Sequence, residues 1–215
     1  MATHPLVERS QSKPVRSAKD FREAAAALQG EVLAAELREE MAVAPRRAEA
    51  GKKFLQAYNR RLAAERRPGR DAEHAALALV GHAQPLRLPH DAGFLTPLAA
   101  AVPLRAAPVD KARGAEDPNY GIGSIDLLGV GPDERLAVGM LRVLPPDARR
   151  VGTGETPLRA LLEGLVHVAV AEVNRDALAS ELEGRLEKPL SSEPPLLLLI
   201  GSPRYWELCR KREAQ

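Results

Sequence analysis

One stretch of this 215-residue chain constrains the fold more than any other: GIGSIDLLGVGPDERLAVGMLRVL, residues 121–144. Two aliphatic runs, Ser124–Val130 and Arg135–Leu144, flank the cluster Gly131–Pro132–Asp133. Glycine, proline and aspartate are residues that tight turns favour. Aliphatic runs bounded by such a cluster are typical of paired strands. The sequence therefore predicts an antiparallel hairpin.

The segments that follow the hairpin predict further helices and strands. Thr156 and Pro157 suit the N-cap and first residue of a helix that runs to about residue 172. The leucine run in PPLLLLIG, residues 194–201, is typical of a buried strand and suits the centre of a sheet. Ser202 and Pro203 suit the start of a last helix. We expect an α/β fold with a mixed central sheet and flanking helices over residues 85–215.

The first 84 residues have a different character. Residues 1–16 are polar and contain two prolines, so we expect a flexible arm. Residues 17–84 are highly charged and carry helical patterns that end at prolines, which predicts a helical N-terminal region. An apolar face on these helices would indicate a protein partner or a second copy of the chain.

Composition indicates which residues can fill the core and which cellular compartment the protein occupies. Apolar residues make up 45% of the chain but aromatics only 3%, so the core must be aliphatic. Cys209 is the only cysteine, which excludes an intrachain disulfide and nearly excludes a structural zinc site. The first residues lack the apolar core of a signal peptide, and the run Leu196–Ile200 is too short to cross a bilayer. We therefore expect a cytoplasmic protein with no membrane association.

Charge suggests one candidate nucleic-acid surface. The formal net charge is only +2, which favours no particular partner. Several arginines are nevertheless clustered in one stretch: Arg60, Arg61, Arg66, Arg67 and Arg70. Such a cluster is either a solvated helix face or a surface that binds phosphates. Because no aromatic residues for base stacking are interleaved with it, we expect at most weak and salt-sensitive binding of nucleic acid.

The hairpin also places residues for a specific chemistry. Metal-dependent hydrolysis of a phosphodiester needs carboxylates that converge on one point of a rigid element. A hairpin meets this need when its first strand carries an aspartate and its second strand carries an acid two residues before a lysine. Residues at i and i+2 of a strand share one face, so the acid and the lysine point toward the same metal-bound water.

The hairpin resembles the core of the PD-(D/E)XK nuclease superfamily, whose hairpin typically has the form IDLL…VVELK. The sequence IDLL stands at residues 125–128. The following elements are also similar to bacterial relatives of that superfamily: a helix opened by ETPLRALLEGL, a hydrophobic strand, and a Pro-Arg-Tyr-Trp helix. The resemblance covers roughly Gly93 to Arg210 and implies a restriction-endonuclease-like fold with Asp126 at the metal-binding aspartate position.

The chain departs from that pattern at two chemically required positions. Met140 stands where the second acid belongs, and Arg142 stands where the lysine belongs. A thioether is a soft ligand and does not replace a carboxylate on Mg²⁺. Arginine keeps the charge but not the geometry or the proton chemistry of an ammonium group. We expect an ion pair between Asp126 and Arg142 in place of a metal site, unless Asp126 is only a partly buried polar residue.

The missing acid has two candidate replacements on the following helix segment, Glu155 and Glu163. Glu163 also shares a helix face with His167 at a spacing of four residues, a pair expected to be solvated.

These observations leave three functions open. The first is a nuclease-like domain with a degenerate site, acting without catalysis and without a cofactor as a nucleic-acid-binding or assembly module. The second is an active nuclease that uses Mg²⁺ or Mn²⁺ on Asp126 and a migrated Glu155 or Glu163, with Arg142 in the role of the lysine. The third is a homo-oligomeric structural protein that has kept only the fold.

Overall fold

The computed structural model of the protein describes residues 4–10, 23, 26, 30–55, 69–152 and 155–213. Five strands form one sheet whose spatial order follows the chain. They are β1 (Leu86–Arg87), β2 (Phe94–Pro103), β3 (Ser124–Val130), β4 (Leu136–Arg142) and β5 (Leu196–Gly201). The first four pair antiparallel in sequence, and β5 runs parallel to β4. The predicted mixed sheet with flanking helices is therefore present.

Six helices belong to the described part of the chain. They are α1 (Pro5–Ser10), α2 (Gly30–Val43), α3 (Asp71–His82), α4 (Pro157–Val173), α5 (Arg175–Leu182) and α6 (Pro203–Glu213). Helix α3 packs on one face of the sheet, mainly on β2, and α4 packs on the other face, on β4 and β5. Helices α1 and α2 pack in turn on α4. The result is three layers, helix on sheet on helix, with additional helices outside α4.

The predicted hairpin is confirmed. Strands β3 and β4 pair antiparallel from Leu127 opposite Gly139 to Val130 opposite Leu136. The connection is a short 3₁₀ turn at Pro132–Glu134, in which Asp133 and Glu134 both have positive φ. Aspartate tolerates that conformation because its short side chain can bond its own backbone. Strand β4 ends at Arg142, two residues before the predicted end at Leu144.

The leucine run does form a strand in the same sheet, but the prediction that it lies at the centre is wrong. Strand β5 pairs with β4 on one side and stands last in the sheet order. Its side chains alternate between two clusters: Leu196, Leu198 and Ile200 pack on the α3 side, whereas Leu197 packs on the α4 side. A strand covered on both faces is apolar throughout, whether or not a second strand flanks it.

The prediction of a flexible N-terminal arm is wrong for its described residues. Pro5–Ser10 form helix α1, and Leu6 and Val7 within it are fully buried. His4 is buried as well, and its Nε2 lies 3.2 Å from Glu40 Oε2 of helix α2. The remaining residues of the predicted arm, 1–3 and 11–16, lie outside the described residues. Two buried apolar side chains are thus enough to fix a polar segment on the core.

The helical N-terminal region is joined to the sheet by a chain of buried contacts. The guanidinium of Arg47 donates to the carbonyl of Lys53 at 2.6 Å and lies over the ring of Phe54, which is fully buried. The Glu181 carboxylate on α5 accepts from the backbone N–H of Phe54 at 2.9 Å. Helix α3, assigned from sequence to the same region, forms one outer layer of the sheet. The described part of the chain contains no helix with both the length and the apolar character needed to cross a membrane.

Close packing between β2 and β3 generates a prediction for Gly129. A Cβ atom at this position would overlap the Thr96 carbonyl oxygen, which belongs to the neighbouring main chain and cannot rotate away. We expect Gly129→Ala to lower the free energy of unfolding by about 3 kcal/mol, as measured by urea denaturation. The control is Gly30→Ala, where no atom lies within 4 Å and a helix gains from alanine. Equal stability of the two variants would contradict the β2–β3 register.

Candidate functional site

Charged side chains from three segments meet at the end of the hairpin. Asp126 comes from β3 and Arg142 from the last position of β4. Glu155 precedes helix α4, and Glu163 lies two turns inside it. The hairpin register places the first two on adjacent strands, and the packing of α4 on β4 brings the helix carboxylate to them.

Arg142 is the centre of this group. Its side chain is only 15% exposed. One terminal nitrogen donates to Glu163 Oε2 at 2.7 Å, and the other donates to the Leu141 carbonyl at 3.0 Å and lies 3.8 Å from Asp126 Oδ2. Its Nε lies 3.0 Å from Glu155 Oε2, but this contact lacks the geometry of a hydrogen bond. The expected contact between Arg142 and Asp126 exists, yet the glutamates are closer.

Asp126 is held by the backbone more tightly than by the arginine. Its Oδ2 accepts the N–H of Leu141 at 2.8 Å. Burial raises the pKa of the Asp126 carboxyl above its ordinary value, and this effect outweighs the opposite effects of the Leu141 N–H and of Arg142. A carboxyl group with a raised pKa, in a cleft and beside a specific charge partner, is a candidate for a functional group.

A second arginine and the start of helix α4 position the two glutamates. Arg159 donates from Nε to Glu163 Oε1 at 2.8 Å, so each oxygen of that carboxylate accepts from a different arginine. The Thr156 side chain caps the helix by accepting the N–H of Arg159 at 3.2 Å, as the sequence predicts. The Tyr205 hydroxyl donates to the Glu155 carbonyl at 2.9 Å and fixes the residue before that cap.

Met140 lines the same cleft as these carboxylates, and its sulfur contacts a histidine. Its Sδ lies 3.2 Å from Nδ1 of His167, a buried residue of helix α4. Burial lowers the pKa of the His167 imidazole to about 4, with smaller contributions from Arg142 and His4. His167 is therefore neutral at pH 7. The expected solvated pair of Glu163 and His167 is wrong, because Glu163 contacts two arginines and His167 contacts a thioether.

A cleft of about 640 Å³ opens beside this group. Its charged lining consists of Asp71, Asp126, Glu155 and Glu163 together with Arg142 and Arg159. His4, Met140, His167 and Tyr205 also line it. Acidic side chains outnumber basic ones in the lining, and every basic group there already contacts a carboxylate. This charge balance disfavours a polyphosphate chain inside the cleft.

The donor set does not suit a divalent metal in this arrangement. Mg²⁺ is held by carboxylate oxygens whose charge offsets its own, but here the Arg142 guanidinium lies among them. Met140 contributes a soft sulfur rather than a hard oxygen. Within the described ranges, no group of three or more His, Cys, Asp and Glu side chains is arranged to hold a metal ion.

The predicted site residues thus fall into two groups. Asp126, Met140, Arg142, Glu155 and Glu163 all line the same cleft. Of the arginine cluster, Arg60, Arg61, Arg66 and Arg67 lie outside the described residues, and Arg70 is exposed and pairs with Glu73 at 2.8 Å. Sequence reasoning missed the contributions of His4, Tyr205 and the Met140–His167 contact, because each depends on packing between distant segments.

Comparisons with models of protein families, with curated proteins and with solved structures find no match to this chain.

The Arg142 contacts predict a strong dependence of stability on this one side chain. Arg142→Gln removes the cation from Asp126 and Glu155 and leaves Glu163 with Arg159 alone, so we expect a loss of about 3 kcal/mol in the free energy of unfolding at pH 7. The loss should shrink as the pH falls, because Asp126, whose pKa is raised, then takes up a proton. The exposed Arg87–Asp91 pair provides the control, and Arg87→Gln should change the free energy by about 0.5 kcal/mol or less.

The buried imidazole predicts a pH dependence on the acid side. The pKa of His167 is lowered in the folded state, so the unfolded chain binds a proton that the folded chain does not. Stability from this group is complete above the ordinary pKa of 6.5 and is lost as the pH falls toward 4. His167→Gln should remove this contribution, so the free energy of unfolding should change less with pH between 6.5 and 4. Urea denaturation at several pH values measures this dependence. If the free energy of unfolding changed with pH equally in the variant and the unmodified protein, a buried neutral His167 would be excluded. The control is His82→Gln at an exposed histidine.

Proposed function

We propose that this chain is a nuclease-like α/β module with a degenerate site, which does not cleave nucleic acid and acts by binding a partner. The observation that carries the proposal is the position of Arg142. Its guanidinium lies among Asp126, Glu155 and Glu163, where a metal-dependent nuclease of the family it resembles would need a cation held by free carboxylates.

The arrangement of the elements supports the family part of this proposal. A hairpin with Asp126 on its first strand is followed by a helix, then by a strand parallel to the second strand of the hairpin, then by a last helix. This is the order that the resemblance to PD-(D/E)XK nucleases implies. Asp126 and Arg142 reach the same cleft from adjacent strands, as an aspartate and a lysine would in an active member.

The side chains at the two altered positions support the absence of catalysis. Met140 places a soft sulfur against a neutral imidazole at the position where an acid would offer a hard oxygen. Arg142 already contacts carboxylates on β3, before α4 and inside α4, so it is not free to stabilise charge that develops on a substrate. The site is suited to holding β4 against the start of α4.

A protein partner is favoured over nucleic acid. The lining of the cleft carries more acidic than basic side chains, which repels a phosphate backbone. Helix α2 meanwhile exposes Val32 and Val43, which are 53% and 59% accessible. These residues are eleven positions apart, about three helical turns, and so share one face. The face between them carries Glu36 and Glu39, so these valines are two separate apolar contact points for assembly and not a continuous strip.

An active nuclease is the second candidate, and one observation favours it. Asp126 and Glu163 reach the same guanidinium, so a movement of Arg142 toward solvent would leave two carboxylates facing one point. In that case Glu163, or Glu155 beside it, would supply the missing acid.

Restoring the two altered residues tests the proposal. We expect no nicking of plasmid DNA above background by the unmodified protein with Mn²⁺ or Mg²⁺. The double substitution Met140→Glu with Arg142→Lys should raise the affinity for Mn²⁺ at least about tenfold in calorimetric titration, because it adds a hard oxygen ligand and frees the site from the guanidinium. Asp126→Ala added to that double variant is the matched control and should abolish the gain.

Two outcomes would contradict the proposal in different ways. Nicking by the unmodified protein that disappears in both Asp126→Ala and Glu163→Gln would establish the active nuclease with a migrated acid. A double variant that folds but gains no affinity for Mn²⁺ would count against the resemblance itself.

A further inference from the structure

Strand β5 has the composition of a central strand but stands at the edge of the sheet. Its residues Leu196–Gly201 include no charged or polar side chain. All six are partly accessible, whereas all but the last residue of the neighbouring strand β4 are buried. Proteins usually protect such an edge with a charged residue, a proline or a bulge, because its free N–H and C=O groups pair readily with another strand.

One hydrogen bond determines which backbone groups point outward. Ser202 N donates to the Arg142 carbonyl at 2.9 Å, and Arg142 lies opposite Gly201 in the parallel register. In a parallel pair the residues of one strand alternate between facing the partner and facing away. Ser202, Ile200 and Leu198 therefore face β4, and the backbone groups of Leu197, Leu199 and Gly201 face outward. Within the described part of the chain, nothing hydrogen-bonds to these three outward residues.

We propose that this edge binds a second copy of the chain, β5 against β5, antiparallel about a two-fold axis. Hydrogen-bonded pairs of an antiparallel ladder form between outward-facing residues. The register that overlaps the whole strand places Leu199 opposite Leu199 of the second copy and Leu197 opposite Gly201. Three such pairs supply about six main-chain hydrogen bonds and join the two sheets into one.

The residues at the ends of the strand are complementary in this register. Pro194 and Pro195 precede the strand and Pro203 follows it, so pairing cannot extend beyond it. The exposed Glu193 of one copy comes next to the first turn of α6 of the other, where the free N–H groups of the helix N-terminus carry partial positive charge. Opposite charges at both ends favour the antiparallel orientation. Because each copy uses the same edge, the contact closes as a dimer instead of growing into a fibre.

This inference goes beyond the proposed function and does not depend on it. The edge is formed by main-chain groups of β5, whereas the proposed function concerns the side chains of the cleft. Loss of pairing and recovery of metal affinity are measured separately, so the failure of either leaves the other intact.

A cysteine on the two-fold axis tests the register. In Leu199→Cys the two new thiols face each other across a pair whose Cα atoms are about 5.5 Å apart, within the range of a disulfide. In the control Leu197→Cys the residue opposite is a glycine, on the same face of the same strand. We expect a disulfide-linked dimer on non-reducing gels for Leu199→Cys and little for Leu197→Cys. The native Cys209 is buried and should not contribute.

Sedimentation equilibrium of the intact chain tests the dimer without touching the strand. The unmodified protein should be dimeric, and Glu193→Arg should weaken the dimer about tenfold, whereas Glu187→Arg, another exposed glutamate, should not. A monomer at every concentration up to roughly 100 μM would overturn the proposal. So would a dimer that neither cysteine traps, or equal trapping by both, since either result would place the contact elsewhere.

Discussion

The contacts of Arg142 hold the central part of the structure in register. A guanidinium that is only 15% exposed has lost most of its hydration, so it must find carboxylates within a few ångströms. It finds them on β3, before α4 and inside α4, and each contact fixes one of these segments relative to β4. The tilt of α4 on the sheet is thereby coupled to the end of the hairpin. This coupling explains why a site without free metal ligands still contains converging carboxylates.

The hairpin could be predicted from sequence because its signals are local. Turn chemistry at Pro132–Glu134 and two apolar runs are sufficient to set an antiparallel pair, and strand geometry then places Asp126 near Arg142. The contact between Arg142 and Glu163 of helix α4 could not be predicted in the same way. Whether Glu163 faces Arg142 or solvent depends on how α4 rotates over the sheet, which no spacing in the sequence encodes. The helix was predicted correctly, but the contacts of its face were not.

Two misjudged segments show the limits of composition as a guide. The leucines of β5 indicate that both faces of the strand are covered. They do not indicate how many strands flank it, because strand pairing uses main-chain groups. The N-terminal segment looked flexible because it is polar and rich in proline. Its Leu6 and Val7 are nevertheless buried, and His4 reaches Glu40. A few apolar residues in a polar segment can dock it when a complementary surface exists, and that surface here is formed by distant helices.

The side chain at position 140 is tied to the core behind it. Met140 contacts His167, whose pKa is lowered to about 4, so the imidazole is buried without charge. A thioether suits that neighbour because it is polarisable and requires neither a proton nor a counter-ion. A carboxylate in its place would lie beside a desolvated imidazole and would favour its protonation. The thioether at position 140 and the neutral state of His167 are therefore compatible, whereas a carboxylate at this position would favour a charged imidazole in the core of α4.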